Sequence, residues 1–253
     1  MIVTFPHNGQ TLHADLSKPI DLSIPLSTEP DAVNAFHIPA VRIEPLRIGN
    51  FVGDVSQGGS CNVNDVHFNP HGNGTHTETV GHISRDKETI YECMKHYWYL
   101  AKLVSVQPSR LFDDWVIMSD QFDDVLSEPT EAIIVRTRPN DDAKRQRKYS
   151  GTNPVYMHPD AAQKMAEAGV RHLLIDLPSV DKEEDGGALL AHHAYWQYPS
   201  MTRKEATITE LIFVPDEVRD GLYLLNLQVI SILNDASPSK PILYHLFHAP
   251  GKP

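Results

Sequence analysis

The sequence predicts a strand-rich α/β protein folded as one domain over residues 1–253, and three observations lead there. Short apolar segments with β-branched and aromatic residues recur along the chain, whereas few stretches carry a helical pattern. At 41% hydrophobic and 22% charged residues the chain has enough apolar material for a core and is not disordered. Its 19 prolines are scattered, with no linker and no repeat period to divide it.

In chain order, residues 20–26 (IDLSIPL) and 62–68 (NVNDVHF) read as short strands, the second half-buried because Val63 and its alternate neighbours follow a period of two. Residues 97–107 (YWYLAKLVSVQ) crowd aromatic and β-branched side chains that suit a pleated surface, and 131–137 (EAIIVRT) is a buried strand. Pro159 and Asp160 open AAQKMAEAG, a run of good helix formers, and Gly169 supplies a left-handed stop. A buried strand follows at 170–176 (VRHLLID), ending in the carboxylate of Asp176. Segments 207–214 (TITELIFV), 222–232 (LYLLNLQVISI) and 241–247 (PILYHLF) are further strands. The basic run 144–148 (KRQRK) reads as a solvated loop.

The net charge of -11 argues against nucleic acid, because phosphate neutralisation needs a basic face. Cys61 and Cys93 have neither disulfide-framework nor zinc-finger spacing. No segment has the apolar length of a membrane span, and the N-terminus has no basic region followed by an apolar one, so a soluble cytoplasmic protein without a membrane partner is expected.

Histidine is the unusual entry in the composition, and four of the 14 fall in HFNPHGNGTHTETVGHIS (67–84). Asn69, Pro70, Gly72, Asn73 and Gly74 imply a tight irregular loop where backbone can approach a ligand. His76 and Glu78, two apart, share a face of an extended segment, and His82 follows within reach. Imidazole nitrogen with carboxylate oxygen suits zinc or manganese. Taken alone, this spacing fits a metal site or a polar surface turn equally well.

The stretch Gly74–His82 (GTHTETVGH) resembles the signature H-x-G-T-H-x-D-x-P-x-H of the metal-dependent cyclase/kynurenine formamidase family. Further matches follow in order: Ile20–Ser23 resembles the opening strand, Val135–Thr137 an RTG-type strand, and Gly169–Asp181 a unit ending in S-V-D. Ala191–His193 and Ile208–Leu211 fall where the family places a ligand histidine and a ligand glutamate. The chain departs from the pattern at Gly72, where the family has its first ligand histidine, at Glu78 for aspartate and at Val80 for proline.

The resemblance implies a single-domain swivelling β/β/α fold, assembled as a homodimer or homotetramer, and a divalent metal, zinc or manganese, bound as one or two ions. It implies His76, Glu78, His192 and Glu210 as ligands, with His71 substituting at Gly72 and His82 as catalytic acid/base. His193, in an extended segment, would face away from its neighbour. Such an ion lowers the pKa of bound water towards ~7, and His82 would take its proton and deliver it to a leaving nitrogen. Hydrolysis of a small amide or cyclic amide follows, with an aryl compound among the small-molecule substrates implied; Phe68, Tyr195 and Trp196 either stack on its ring or belong to the core. Two alternatives use the same residues, a metal-binding scaffold without hydrolysis and a cyclase or dehydratase.

Overall fold

Seven strands close into a barrel in the computed structural model, which describes residues 1–248; residues 249–253 of the expected domain lie outside the described ones. The main sheet contains β1 (Ile2–His7), β2 (Gln10–Asp15), β3 (Ile20–Asp21), β4 (His76–Thr79), β5 (Trp98–Val106), β6 (Ala132–Thr137), β7 (His172–Ile175), β8 (Thr207–Glu210), β9 (Gly221–Val229) and β10 (Ala236–Phe247). Around the barrel the order is β10-β9-β5-β6-β7-β8-β4, and β4 pairs back onto β10. Strands β5 to β8 are parallel to one another, and the other barrel pairs are antiparallel. Four helices accompany them among the described residues: α1 (Pro70–Asn73), α2 (Ile90–Cys93), α3 (Pro159–Glu167) and α4 (Leu190–Trp196).

Alternation along the strands divides most of their apolar residues between the barrel interior and its helix-covered outer face, while Leu224 and Tyr244 pack on Ala14 of β2. Inside the barrel, Tyr99, Ala101, Leu103, Ile134, Leu174, Leu225, Leu227 and Leu243 pack together. Outside it, Ile133, Val135, Leu173, Ile175 and Ile208 meet Met165 of α3 and Tyr195 and Trp196 of α4. All of β6 is therefore buried, which is why its first four residues, Ala132 to Val135, are a continuous apolar run. Each fully buried Leu or Ile adds roughly 1.5–3 kcal/mol.

Several expected elements differ in extent. Strand β3 stops at Asp21 because its carboxylate takes the amide and hydroxyl of Ser23, a local bond that competes with the ladder. Only Asn64–His67 of the 62–68 segment is a strand; it pairs with Arg42–Pro45, and its four residues are exposed rather than half-buried. The 207–214 strand ends at Glu210 because Leu211 adopts φ +54°. Lys144 is not solvated: it is buried with Nζ 2.8 Å from Asp176 Oδ2 and 2.7 Å from the Thr137 carbonyl. The hairpin β1–β2 was not foreseen, although Asn8–Gly9, both at positive φ, form its turn.

His172, at the start of β7, faces the barrel interior, where Nδ1 lies 2.8 Å from Thr207 Oγ1 and its ring packs on Tyr99. Burial, helped by Arg171 and Arg203, lowers its pKa to about 3. The folded state thus refuses a proton that the unfolded chain accepts near 6.5, so stability is full above that pH and falls as pH drops towards 3. This group alone should remove about 2 kcal/mol between pH 7 and pH 5. His172→Asn, which preserves a partner for Thr207, should lose correspondingly less; urea unfolding of both proteins at the two pH values checks this, and equal losses would contradict it.

Candidate metal centre

Strand β4 builds the centre through its pleat. His76 and Glu78 point outward from the barrel, while Thr77 points inward and its hydroxyl lies 2.8 Å from that of Thr209. The antiparallel neighbour β8 sets Glu210 opposite His76 and Ile208 opposite Glu78. Across this outer face lies α4, which carries His192. The correction to the expected extended segment is that His192 and His193 occupy consecutive positions of a helix; His193 turns away, with Nδ1 3.2 Å from the Tyr198 carbonyl.

Short turns at either end of β4 supply the other two imidazoles. His71 sits on α1, a single turn capped by Asn69, whose Oδ1 accepts from the His71 amide at 3.0 Å. Its neighbour Gly72 has no room for a side chain, since a Cβ there would lie 2.8 Å from the Ala35 carbonyl oxygen and 2.6 Å from Ile38 Cδ1. His82 ends the 3-10 turn Val80–His82, capped by Thr79. All six residues expected at the site therefore converge. His76, Glu78, His192 and Glu210 are buried, whereas His71 and His82 are 20% and 29% exposed and form the mouth.

The histidines are aimed by the oxygens behind them. His76 Nδ1 lies 3.0 Å from the Gly74 carbonyl and His192 Nδ1 2.6 Å from Asp181 Oδ2. These oxygens only accept, so Nδ1 of each ring donates to them and Nε2 faces the centre. There, His192 Nε2 is 3.0 Å from Glu78 Oε1, and His76 Nε2 is 3.4 Å from Glu210 Oε2. His71 Nδ1 stands 3.1 Å from Glu78 Oε2. Glu210 is steadied by the Val180 amide, which donates to Oε1 at 2.9 Å.

At the centre, two buried side-chain atoms have no hydrogen bond, His76 Nε2 and Glu78 Oε2. An imidazole nitrogen and a carboxylate oxygen facing a common space are the kind of donors a divalent ion takes. One donor atom from each of His71, His76 and Glu78 lies within 4.8 Å of the others, as for Glu78, His82 and His192. Burial pulls His71 down, but Asp235 and Glu78 overcome it and push the imidazole up to about 10. His192, against the same penalty, is held well above the usual imidazole range by Glu78 and Asp181. Burial raises Glu78, yet His82 and His192 hold it well below the usual carboxylate range. A bound cation would take over the charge that these protons carry.

Two carboxylates near the centre were not singled out. Asp181 lies in the S-V-D unit; it accepts from the backbone amides of Ala191 at 2.7 Å and His192 at 3.0 Å, so it both caps α4 and aims its histidine. Asp181→Ala should leave a folded barrel with roughly 10- to 100-fold weaker metal affinity, measured by competition with a chelator; unchanged affinity would contradict its role. Asp235, at the turn before β10, approaches His71 and His82, and no local pattern marks it. Of the aromatic residues, Tyr195 and Trp196 are core: the Tyr195 hydroxyl donates to the Val170 and Thr207 carbonyls and Trp196 Nε1 to Ala206. Trp196 nevertheless lies 5.4 Å, ring to ring, from His192, while Phe68 is half-buried beyond the end of the 64–67 strand.

Comparison with known proteins agrees with this geometry. The family model described as a putative cyclase matches residues 15–182. The kynurenine formamidase of Bacillus cytotoxicus is 27% identical over 191 residues, covering 74% of this chain and 82% of that protein. The Bacillus cereus protein of the same name is 25% identical over a span of the same length. Among solved structures, a potential metal-dependent hydrolase with cyclase activity superposes with a TM-score of 0.62 at 15% identity, covering 92% of this chain and 99% of that one. Isatin hydrolase A from Labrenzia aggregata, bound to benzyl benzoate, gives 0.64 at 13% identity over 90% and 93%. The strand-rich α/β fold expected from the sequence is the fold these structures share.

Proposed function

Because the chain belongs to the putative cyclase family, we propose that it is a metal-dependent hydrolase opening a carbon–nitrogen bond of a small amide or cyclic amide. The observation that carries this reading is the pair of buried atoms without a hydrogen bond, His76 Nε2 and Glu78 Oε2, within a ring of imidazoles and carboxylates. His71, His76, Glu78, His192 and Glu210 would hold a divalent ion, zinc or manganese by the nitrogen and oxygen donors they offer. When bound, the ion supplies a Lewis acid that polarises a carbonyl and makes water acidic near neutrality.

The chain's own residues manage orientation and protons. His82 stands at the mouth, its ring centroid 4.4 Å from that of His71 and 5.4 Å from that of His192, where solvent and substrate meet. Its Nδ1 lies 3.4 Å from Asp235 Oδ2, which leaves Nε2 to accept a proton from water and return it to the departing nitrogen. The names of the relatives, kynurenine formamidase and isatin hydrolase, support an aryl amide or a ring-fused cyclic amide as substrate class.

The test is a substrate panel with zinc- or manganese-loaded protein: N-formyl aryl amines, isatin-type cyclic amides, imides and lactones, with products identified by mass spectrometry. Metal-dependent deformylation or ring opening with uptake of one water is expected. Bound metal with no turnover on any of them would favour a scaffold, and products that have lost water would favour a dehydratase.

A further inference from the structure

The turn between β9 and β10 delivers to the mouth of the centre a carboxylate that lies outside every motif in the sequence. Asp235 Oδ2 is 2.9 Å from His71 Nε2 and 3.4 Å from His82 Nδ1. Its backbone is fixed by the end of β4: the Asp235 carbonyl accepts from the Thr79 amide at 3.0 Å and the Thr79 hydroxyl at 3.2 Å. The preceding Asn234 is held as well, its carbonyl accepting from the Ile90 amide at 2.8 Å and its side-chain amide donating to the Ala236 carbonyl at 2.9 Å. The strand that presents His76 and Glu78 thereby also sets the position of Asp235.

We infer that Asp235 is a positioning residue that fixes the ring of His71 so that Nδ1 is its metal-binding atom. The inference rests on the hydrolase reading for the presence of an ion and adds to it the residue that makes His71 a competent ligand. A carboxylate only accepts, so Nε2 donates to Asp235 and is committed there, and Nδ1 is the nitrogen left facing Glu78 Oε2, at 3.1 Å, and the space it shares with His76 Nε2. His71 needs such an anchor more than the other ligands do. It rides on a single helical turn at the partly exposed mouth, beside a glycine that packs against Ala35 and Ile38 in place of any side chain. Rotation of the ring by a half turn would offer the wrong nitrogen.

The other two ligand histidines each have an acceptor behind them, the Gly74 carbonyl for His76 and Asp181 for His192. With Asp235 behind His71 the set is complete, one acceptor for each ring and each from a different segment of the chain. The same Oδ2 faces His82 Nδ1, so one carboxylate sets the orientation of a ligand and of the proton-carrying histidine together.

A double-mutant cycle tests this on the full-length protein loaded with cobalt(II), whose visible absorption reports the coordination geometry. Asp235→Ala should weaken cobalt affinity roughly 10- to 100-fold and alter the absorption bands, whereas Asp235→Asn, which keeps an acceptor oxygen, should stay within a few-fold of the wild type. In a His71→Ala background, Asp235→Ala should cost nothing more. Asp235→Ser, which keeps a polar turn but whose hydroxyl ends one bond short of the Asp235 Oδ2 that meets His71 Nε2, decides the matter in the same cycle should the alanine variant fail to fold. Wild-type affinity and spectrum in folded Asp235→Ala or Asp235→Ser, or losses that add in the double variant, would overturn the assignment alone. A wild-type protein that takes up no divalent ion would overturn the hydrolase reading and this assignment with it.

Discussion

Glu78→Gln should purify as a folded protein that retains no divalent ion after dialysis and has no measurable turnover. Glu78 is 1% exposed, and its two oxygens face different imidazoles, Oε1 towards His192 at 3.0 Å and Oε2 towards His71 at 3.1 Å. An amide of the same shape brings no charge, and its NH2 group would be turned towards one of the nitrogens that must ligate. The loss should exceed the roughly 10- to 100-fold that removal of a residue behind a ligand produces, because the proposed centre makes Glu78 itself a donor. At 1.4 kcal/mol per decade, a 100-fold loss is about 2.8 kcal/mol of binding free energy. Elemental analysis after dialysis gives the answer directly; a stoichiometric ion in the variant would remove Glu78 from the ligand set.

His82→Ala should behave in the opposite way, keeping the ion and losing the reaction. His82 is 29% exposed and lies 3.9 Å from Glu78 Oε2, the longest of that carboxylate's contacts with the imidazoles. Its removal should therefore leave metal content and thermal stability close to those of the wild type. Turnover of the best amide in the panel should fall by roughly 100- to 10,000-fold, the usual contribution of a positioned acid/base. Full activity in the variant would rule out this role; equal loss of metal and activity would make His82 a ligand instead.

The residues of the centre were legible where local geometry alone fixed them. The two-residue spacing of His76 and Glu78 needed only an extended strand, and β4 supplies it. Helix α3 was readable from its proline opening and its run of good formers. The apolar character of β6 reflected burial on both faces rather than on one. What escaped depends on pairs distant in the chain. Asp235 meets His71 across 164 positions, and Lys144 meets Asp176 across 32, so neither contact leaves a periodic trace. The tract 144–148 looked solvated because charge was judged by composition, whereas Asp176 at the end of β7 draws Lys144 inward. Helix α4 was hidden for a different reason: its first turn is capped by a carboxylate from another segment, Asp181, while Leu189 at its start adopts φ +45° with no cap of its own. The β1–β2 hairpin carries a readable signal in Asn8–Gly9, the turn dipeptide between its two six-residue strands, and was overlooked.

X-ray diffraction from crystals grown with zinc or manganese, collected at the absorption edge of the metal, tests the proposed centre most directly. An anomalous peak should lie between His76 Nε2 and Glu78 Oε2, within bonding distance of both, with His71, His192 and Glu210 completing the shell and Asp235 still on His71 Nε2. No peak at that position, or one held by other residues, would contradict the assignment of this site as a metal-dependent hydrolytic centre.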